Sequence, residues 1–420
     1  MLYERWREVV REWSSEVALS DAASGRCWTF SELFMEGEKG DVPSGSILFP
    51  QGNSTEFILT VLRAWRAGKI ICPLEAGQEP PVFPQPPPEC VHLKLTSGST
   101  GNARGVAFTA EQLAADAGNI VKTMGLRRDW PNVGVISLAH SYGFSNLVLP
   151  LLLHGVPLIL APSPLPEIVR RAMANATDVT LAAVPALWRI WHDADAVSSK
   201  VRLAISAGAP LPIILESAVF ERFGLKVHNF YGSSECGGIA YDRSELPRTD
   251  STYVGEPMEN VSVSIGSTGC LEVRSAAVGL TYWPEPGDAL GNGVFQTSDL
   301  AEIRSGGICL RGRATDQINV AGRKFSPEIV EQVLMRHPAV RECLVFGVPC
   351  PEVERVETVV ACVSARHEVK AEELRQFLLH DLPAWQVPRE WWFVDEMETN
   401  RRGKFSRAEW KQRYLNRTRG

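Results

Sequence analysis

Short apolar runs and helical patterns take turns along most of the first three hundred residues, and this alternation limits the folds open to the chain. The pattern predicts strands over residues 46–49, 133–137 and 201–206, and helices over residues 56–67 and 166–175. Strands that alternate with helices are typical of layered α/β proteins. We therefore expect an α/β fold for this part of the chain.

The pattern changes from about Tyr253 onward. Alternating segments separated by glycines predict antiparallel strands over residues 261–265, 271–274 and 308–311. After Asp316, helices are predicted over residues 327–337 and 371–380, and strands over residues 343–348 and 358–363. Because a chain of 420 residues is too long to fold around one compact core, we expect a small, separate α+β domain here.

Two further segments have a clear local character. Residues 1–13 predict a charged amphipathic helix without the apolar stretch that a secretion signal needs. Residues 79–89, EPPVFPQPPPE, are so rich in proline that they predict an extended, semi-rigid connector.

Charge and cysteine usage exclude several classes of protein. The formal net charge is -6 and the basic residues are scattered, which argues against nucleic-acid binding. The most apolar stretch, residues 147–161, is interrupted by polar residues and prolines and is too short to span a membrane. Nine cysteines without a C-x-x-C pair argue against a disulfide framework or a zinc ribbon. We expect a cytoplasmic protein.

The segment 96–105, TSGSTGNARG, has the composition of a phosphate-binding loop. Small residues allow the backbone to approach a ligand, hydroxyl and N–H groups bind oxyanions, and Arg104 adds a positive charge. The loop lacks the G-K-[ST] of a P-loop. Taken alone, such a run is more often a simple turn.

Three more segments carry groups suited to a nucleotide. Residues 231–235, YGSSE, offer an aromatic ring, hydroxyls and a carboxylate suited to Mg²⁺. Asp299 in TSDLAEI and Arg313 in RGRATDQINVAGRKFSP offer an acceptor and a donor for sugar hydroxyls. A lysine, Lys404, follows in NRRGKFS. Each alone fits an ordinary turn, a surface ion pair or a solvated tail.

Together, these segments resemble the adenylate-forming superfamily of acyl- and aryl-CoA synthetases, acyl-carrier-protein ligases, adenylation domains and luciferases. The family's phosphate loop, Y-G-x-[ST]-E, [ST]-x-D, G-R-x-x-D-x-I-x-x-x-G and terminal G-K blocks all occur here in family order. The resemblance implies an N-terminal adenylation domain over residues 1–313, made of layered α/β subdomains and a distorted β-barrel. It also implies a small mobile C-terminal domain over residues 314–420. The phosphate loop starts earlier than in most members, so we expect a shortened first subdomain.

The resemblance implies that ATP, Mg²⁺ and coenzyme A are bound, and it assigns roles to individual residues. Lys404, Glu235 and Arg104 would be catalytic, with Glu235 as the Mg²⁺ ligand. The ATP- and AMP-binding residues would be Thr96, Ser97, Gly98, Ser99, Thr100, Gly101, Ser206, Gly208, Ala209, Pro210, Asn229, Tyr231, Gly232, Ser233, Ser234, Asp299 and Arg313.

Further blocks resemble the acid- and thiol-binding parts of the family. The block AHSYGFSN at 139–146 and two glycines imply an acyl pocket formed by His140, Tyr142, Phe144, Gly237 and Gly238, with the glycines leaving room for an aryl ring or a chain. No aspartate for a substrate ammonium stands in this block, so we expect an acid without an α-amino group. Gly322, Arg323 and Lys324 would line the thiol tunnel.

The expected activity is therefore activation of an aryl or acyl acid to its acyl-adenylate, followed by transfer to coenzyme A. Two alternatives stay open: loading of the phosphopantetheine arm of an acyl carrier protein, and a non-catalytic adenylate-binding scaffold. Departures from the family pattern include Arg104 in place of lysine and Thr315 at the hinge position. A monomer and a homodimer fit the sequence equally well.

Overall fold

The computed structural model describes residues 1–40, 42, 44–96, 104–350, 352, 356–398 and 405–419. The chain divides into two compact units. Unit 1 comprises residues 1–264, 272–297 and 304–308, and unit 2 comprises residues 265–271, 298–303 and 309–420. The predicted boundary between residues 313 and 314 stays a prediction.

Unit 1 holds the alternating part of the sequence. Its helices are α1 (Leu2–Trp13), α2 (Phe30–Glu38), α3 (Thr55–Arg66), α4 (Ala110–Met124), α5 (Ser141–Gly143), α6 (Leu149–His154), α7 (Pro166–Met173), α8 (Pro185–Asp193) and α9 (Ile213–Phe223), with a π-helical turn (Phe144–Val148) between α5 and α6. Its strands are β1 (Val17–Asp21), β2 (Cys27–Thr29), β3 (Ile47–Leu48), β4 (Ile70–Ile71), β5 (His92–Thr96), β6 (Arg104–Phe108), β7 (Asn132–Gly134), β8 (Leu158–Leu160), β9 (Val179–Ala183), β10 (Val201–Ser206), β11 (Val227–Ser233), β12 (Gly237–Tyr241), β13 (Tyr253–Pro257), β16 (Thr281–Trp283) and β17 (Leu290–Gly291). Four strands have residues in both units: β14 (Ser262–Ile265), β15 (Cys270–Arg274), β18 (Val294–Arg304) and β19 (Gly307–Arg313).

Two sheets organise unit 1. The strands of the larger sheet that lie entirely in unit 1 have the order β13-β12-β11-β10-β9-β7-β8-β1-β2. Neighbouring strands from β11 to β1 in this order are parallel. The other sheet has the order β16-β6-β5-β4-β3, with β5 and β6 forming an antiparallel hairpin. Parallel strands place their carboxyl ends at one edge of the sheet, where α/β proteins bind ligands.

The sequence explains why α4 begins and ends where it does. Thr109 and Gln112 form a reciprocal capping box at its start, and Gly125 takes the left-handed conformation after its last residue. Between these signals, Leu113, Ala117 and Ile120 are fully buried. The helix therefore presents one apolar face to the core of unit 1.

Unit 2 contains the predicted small α+β part. It has a 3₁₀ turn (Ala314–Asp316), a two-stranded hairpin of β20 (Ile318–Val320) and β21 (Arg323–Phe325), and a three-stranded sheet of β22 (Val340–Pro349), β23 (Glu357–Ala365) and β24 (Glu390–Val394). Its helices are α10 (Glu328–Leu334), α11 (Ala371–Asp381) and α12 (Arg407–Arg419). One core lies between this sheet and α10 and α11, and a second includes Trp410 and Tyr414 of α12.

Most sequence-based predictions of elements agree with the structure within a few residues. The predicted helices at 56–67 and 371–380 correspond to α3 and α11, and the predicted strand at 201–206 matches β10. The strand predicted over 133–137 ends earlier, since β7 covers only Asn132–Gly134. The proline-rich segment 79–89 contains no helix or strand, as expected for a connector.

Candidate active site

The carboxyl ends of β10 and β11 bring two predicted ATP-binding segments together. The two strands are parallel neighbours, and Ser206 pairs in register with Asn229. The exposed Gly208 and Pro210 follow β10 directly, while the half-buried Tyr231 lies near the end of β11. Since both segments leave the same edge of the sheet, the structure confirms that they are neighbours.

The turn after β11 positions Glu235. The backbone N–H of Glu235 donates to the hydroxyl of Ser233 (3.2 Å), and the N–H of Gly279 donates to the carbonyl of Glu235 (2.8 Å). The hydroxyl of Tyr282 donates to Oε1 of the Glu235 carboxylate at 3.3 Å. The predicted magnesium ligand is thus held by its own turn, by a neighbouring loop and by a tyrosine.

The β5–β6 hairpin carries the predicted phosphate loop. Thr96 and Arg104 pair across its mouth, and the Thr96 hydroxyl donates to the carbonyl of Arg104 at 3.1 Å. Ser97, Gly98, Ser99, Thr100 and Gly101 lie outside the described residues. The ends of the loop are therefore fixed by the sheet.

Tyr282 connects this hairpin to the Glu235 turn. The Arg104 guanidinium carbon lies 3.9 Å from the centroid of the Tyr282 ring, whose strand β16 pairs antiparallel with β6. Burial and the neighbouring Glu235 carboxylate raise the pKa of Tyr282, so its hydroxyl stays protonated and can donate to that carboxylate. No sequence motif contains Tyr282, and its place in a strand beside the phosphate hairpin is visible only in the fold.

A buried ion pair lies behind the Glu235 turn. Lys94 Nζ is 3.6 Å from Asp116 Oδ2 and donates to the Ser145 hydroxyl at 3.2 Å, and that hydroxyl donates to Asp116 at 2.6 Å. The other Asp116 oxygen accepts the backbone N–H of Gly238 at 3.2 Å. This network links β5, α4, the π-helical turn and β12, and the sequence analysis missed it because its members are far apart in sequence.

The space beside Gly237 and Gly238 is filled by the protein itself. A Cβ on Gly237 would lie 2.0 Å from Asp116 Oδ1, and a Cβ on Gly238 would lie 2.3 Å from the Met258 sulfur. The expectation that these glycines leave room for an aryl ring or a chain is therefore corrected. They are small because Asp116 and Met258 pack against the backbone.

The acyl-pocket block follows β7, at the same sheet edge. The half-buried His140 caps α5, and the Tyr142 hydroxyl is buried without a hydrogen-bond partner among the described residues. Phe144 is only 1% exposed and packs against His92, with ring centroids 4.5 Å apart. Phe144 is thus a core residue, which corrects its predicted place in the pocket wall, whereas Tyr142 contacts the Phe230 ring at 5.8 Å.

The predicted ribose-binding residues are paired in unit 2. Arg313 Nε donates to Asp299 Oδ1 at 3.0 Å, and the Arg313 side chain is 60% exposed while that of Asp299 is 17% exposed. The ion pair holds the carboxylate and the guanidinium toward each other. Both groups remain suited to bind sugar hydroxyls.

The predicted thiol-tunnel residues form the tip of the β20–β21 hairpin. Ala321 and Gly322 both have positive φ, as a two-residue hairpin turn requires, and a Cβ on Gly322 would meet nothing within 4 Å. Arg323 and Lys324 are exposed, and the Arg323 guanidinium lies 5.7 Å from the Trp385 ring. The predicted catalytic Lys404 lies outside the described residues.

Comparison with known proteins places the chain in a family. The AMP-binding enzyme family matches residues 73–283, half of the chain, and the AMP-binding enzyme C-terminal domain matches residues 329–404. A feruloyl-CoA synthase from Amycolatopsis sp is 28% identical over 362 residues, covering 81% of this chain and 73% of that protein. A 2,3-dihydroxybenzoate-AMP ligase from Bacillus subtilis is 28% identical over 339 residues, covering 75% of this chain and 62% of that protein.

A solved structure agrees with the family match. The crystal structure of ATP-bound MatB from Rhodopseudomonas palustris superposes with a TM-score of 0.86 over 99% of each chain, at 20% identity. The expected fold class, mixed α/β with a large N-terminal and a small C-terminal domain, is thereby confirmed. The chain belongs to the AMP-binding enzyme family, the adenylate-forming superfamily that includes the acyl- and aryl-CoA synthetases.

Proposed function

We propose that this AMP-forming acid–thiol ligase activates an aryl or acyl carboxylic acid as its acyl-adenylate and transfers the acyl group to coenzyme A. The observation that carries the proposal is the connection of Glu235 and Arg104 through Tyr282 at the mouth of the phosphate hairpin. We assign the triphosphate to this hairpin, which would bring it next to one carboxylate and one guanidinium. These are the groups that binding a metal–nucleotide complex requires.

The two steps are simple substitutions. A carboxylate oxygen attacks the α-phosphorus of ATP, an acyl–O–P bond forms, and pyrophosphate leaves. The thiol sulfur then attacks the acyl carbon, the C–O bond to phosphate breaks, AMP leaves, and the thiol proton passes to solvent. Both reactants of the first step are anions, so we assign the stabilisation of charge at the α-phosphate to Lys404 and Arg104.

The donor set at Glu235 fits Mg²⁺. Among the described residues, no cluster of three or more His, Cys, Asp or Glu can hold a metal by itself. Mg²⁺ in nucleotide sites is often held by one or two carboxylates together with substrate phosphates, and Glu235 supplies one carboxylate. When bound, the ion would neutralise phosphate charge, while Tyr282 keeps the Glu235 carboxylate oriented.

The other predicted site residues are assigned to the remaining parts of the nucleotide. We assign Tyr231 and residues 206–210 to the adenine and Ser234 to the α-phosphate. The pair of Asp299 and Arg313 is assigned to the ribose hydroxyls. The Asp299 carboxylate accepts hydrogen bonds and the Arg313 guanidinium donates them, so the pair suits the two hydroxyls of a vicinal diol. Their mutual ion pair fixes the orientation of both groups before the sugar binds.

The pairing of the Asp116 carboxylate within the protein supports a substrate acid that has no α-amino group. Asp116 lies close to the acyl-pocket block in space, although the block itself contains no aspartate. Its side chain is 2% exposed, and it is already paired with Lys94, Ser145 and the N–H of Gly238. A substrate ammonium would therefore find a carboxylate whose charge is compensated and whose acceptor positions are occupied.

Lys404→Ala tests the first step. With ATP, Mg²⁺ and a panel of aryl, short-chain, fatty and amino acids, the wild-type protein should exchange labelled pyrophosphate into ATP with aryl or acyl acids. The variant should lose at least about 100-fold of this exchange with its fold intact, because the charge at the α-phosphate is no longer compensated. Wild-type exchange in the variant would remove Lys404 from the mechanism, and a preference for amino acids would refute the substrate class.

The acceptor is tested separately. Thioester formation should be measured with coenzyme A and with a phosphopantetheinylated acyl carrier protein at equal concentrations. The proposal expects acyl-CoA as the faster product, and faster loading of the carrier protein would replace coenzyme A as the acceptor. Adenylate binding without either product would reduce the chain to a scaffold.

A further inference from the structure

Arg407, the first residue of α12, has an unusually complete set of partners for an arginine near the protein surface. Its Nε donates to the carbonyl of Val345 at 2.9 Å. Nη1 contacts Asp316 Oδ2 at 2.5 Å and Glu328 Oε1 at 3.0 Å, and Nη2 donates to both oxygens of Glu331 at 2.8 and 3.1 Å. The Arg407 side chain is only 18% exposed. Each nitrogen of the guanidinium is therefore engaged.

The partners of Arg407 come from the elements around which unit 2 is built. Asp316 ends the 3₁₀ turn that follows the predicted domain boundary, Glu328 and Glu331 lie on α10, and Val345 lies in β22. Glu331 also accepts the backbone N–H of Val345 at 2.7 Å. One side chain at the start of α12 thus connects the turn, the helix and the strand.

The cluster carries more negative than positive charge. Three carboxylates surround a single guanidinium, and burial raises the pKa of Glu328 although Arg407 opposes the shift. One Glu328 oxygen is buried without a hydrogen-bond partner among the described residues. Without Arg407, the carboxylates would repel one another, and the start of α12 would lose its attachment to the turn at Asp316.

Arg407 follows Lys404 by three residues in the sequence. Phe405 between them packs against the core that contains Trp410 and Tyr414. The described chain that directly follows Lys404 in the sequence is therefore attached to unit 2 at both Phe405 and Arg407.

We propose that Arg407 is a positioning residue for the adenylation step, fixing the chain that carries Lys404 to the turn that ends at Asp316. This inference rests on the proposed role of Lys404. It assigns to Arg407 a function beyond stabilising α12, namely to hold the chain that follows Lys404 in the sequence to the turn that ends at Asp316. Displacement of a reacting group by about 1 Å is enough to reduce a rate on the order of 100-fold.

The test compares Arg407→Gln with Arg413→Gln, a matched control on the same helix. Arg413 pairs with Glu398 at 2.8 Å, but both side chains are largely exposed, at 50% and 71%. Two rates are measured: pyrophosphate exchange, which requires Lys404, and transfer of the acyl group from a preformed acyl-adenylate to coenzyme A, in which no bond to phosphorus is made.

Arg407→Gln should lower kcat for exchange at least about tenfold at saturating ATP and acid. The KM for ATP should change less than about twofold, and transfer from the preformed adenylate should stay within about twofold of wild type. Arg407→Lys should recover part of the exchange rate, because an ammonium keeps the charge but not the planar fork. Arg413→Gln should behave as wild type in both assays.

Two results would overturn the inference: exchange at the wild-type rate in Arg407→Gln, or an equal fall of both rates, which would make Arg407 a support of the fold of unit 2. If circular dichroism shows that Arg407→Gln does not fold, the two rates are measured in Asp316→Asn and judged by the same criteria. This variant removes the charge of one Arg407 partner and leaves the shape of the side chain nearly unchanged. Lys404→Ala separates the two proposals. Loss of exchange in Lys404→Ala with full exchange in Arg407→Gln refutes this inference alone, whereas full exchange in Lys404→Ala refutes the proposed role of Lys404 and this inference with it.

Discussion

At the scale of single residues, Tyr282 links the two charged groups that the sequence motifs had predicted separately. Its ring stacks with the Arg104 guanidinium, and its hydroxyl donates to Glu235. A hydrogen bond to a charged group contributes more than one between neutral groups, and a stacked cation adds a smaller amount. The two contacts can be separated by substitution.

Tyr282→Phe should raise the KM for ATP about threefold to tenfold, because the ring remains under Arg104 while Glu235 loses its donor. Tyr282→Leu should raise it further, since the stacking is lost as well. Both variants should be assayed by pyrophosphate exchange over a range of Mg²⁺ concentrations. Equal KM values in Tyr282→Phe and wild type would show that the hydroxyl does not hold Glu235 in the working enzyme.

His92 is a second informative residue because it is fully buried and neither ring nitrogen has a hydrogen-bond partner among the described residues. Burial, with a smaller effect of Lys94, lowers the pKa of His92 well below its ordinary value of 6.5. The unfolded chain therefore takes up a proton before the folded one does as the pH falls through about 6.5. As the pH falls below 6.5, His92 therefore lowers the free energy of unfolding by up to about 1.4 kcal/mol per pH unit.

His92→Leu should be as stable as wild type or more stable at pH 7.5, because an unsatisfied imidazole is replaced by an apolar group. Between pH 6.5 and 5.5 it should lose about 1 kcal/mol less than wild type. Urea unfolding at the two pH values measures both effects. An acid sensitivity in His92→Leu equal to that of wild type would contradict the buried, neutral histidine.

At the scale of elements, the buried network of Lys94, Asp116 and Ser145 sets the packing of β12 against α4. Gly237 has a φ of +69° with Asp116 against its backbone, whereas Gly224 has a φ of +64° after α9 and open space around it. The two glycines share a backbone conformation that costs other residues about 1–2 kcal/mol. They differ in what a methyl group would meet.

Gly224→Ala should therefore lose about 1 kcal/mol of unfolding free energy, and Gly237→Ala about 3 kcal/mol, because the buried Asp116 carboxylate must move as well. Chemical unfolding of the two variants gives the comparison. Equal losses would mean that the contact between Asp116 and the backbone of Gly237 contributes nothing to the packing of β12.

Elements with a strong local signal were predictable, and contacts between distant residues were not. The α3 and α11 helices and the β10 strand follow from local apolar patterns, whereas the parallel pairing of β10 with β11 joins segments whose pairing no local pattern shows. Phe144 was misplaced because an aromatic residue in a pocket-like motif looks the same in sequence whether it faces a ligand or His92. The glycines at 237 and 238 were misread for a related reason, since a sequence does not show what packs against a small residue.

At the scale of the whole molecule, the residues of the proposed site belong to two different units. Glu235, Arg104 and Tyr231 belong to unit 1, whereas Asp299, Arg313 and the Arg407 cluster belong to unit 2. The pattern after Asp316 predicted a separate C-terminal domain over residues 314–420, and it did not predict that residues 265–271 and 298–303 group with this part of the chain. Which unit a segment joins depends on contacts between residues far apart in sequence, and local sequence patterns do not show these contacts. Of the helices in the described part of the chain, none is long and apolar enough to cross a membrane.

In the proposed reaction, the acid is activated by a new bond from its carboxylate oxygen to the α-phosphorus of ATP. The most direct measurement uses an accepted acid labelled with ¹⁸O in both carboxylate oxygens, together with ATP, Mg²⁺ and coenzyme A, and determines the label in the products by mass spectrometry. We expect AMP that carries one ¹⁸O atom for each acyl-CoA formed, and unlabelled pyrophosphate. Release of ADP with ¹⁸O in inorganic phosphate, or AMP without label, would contradict it.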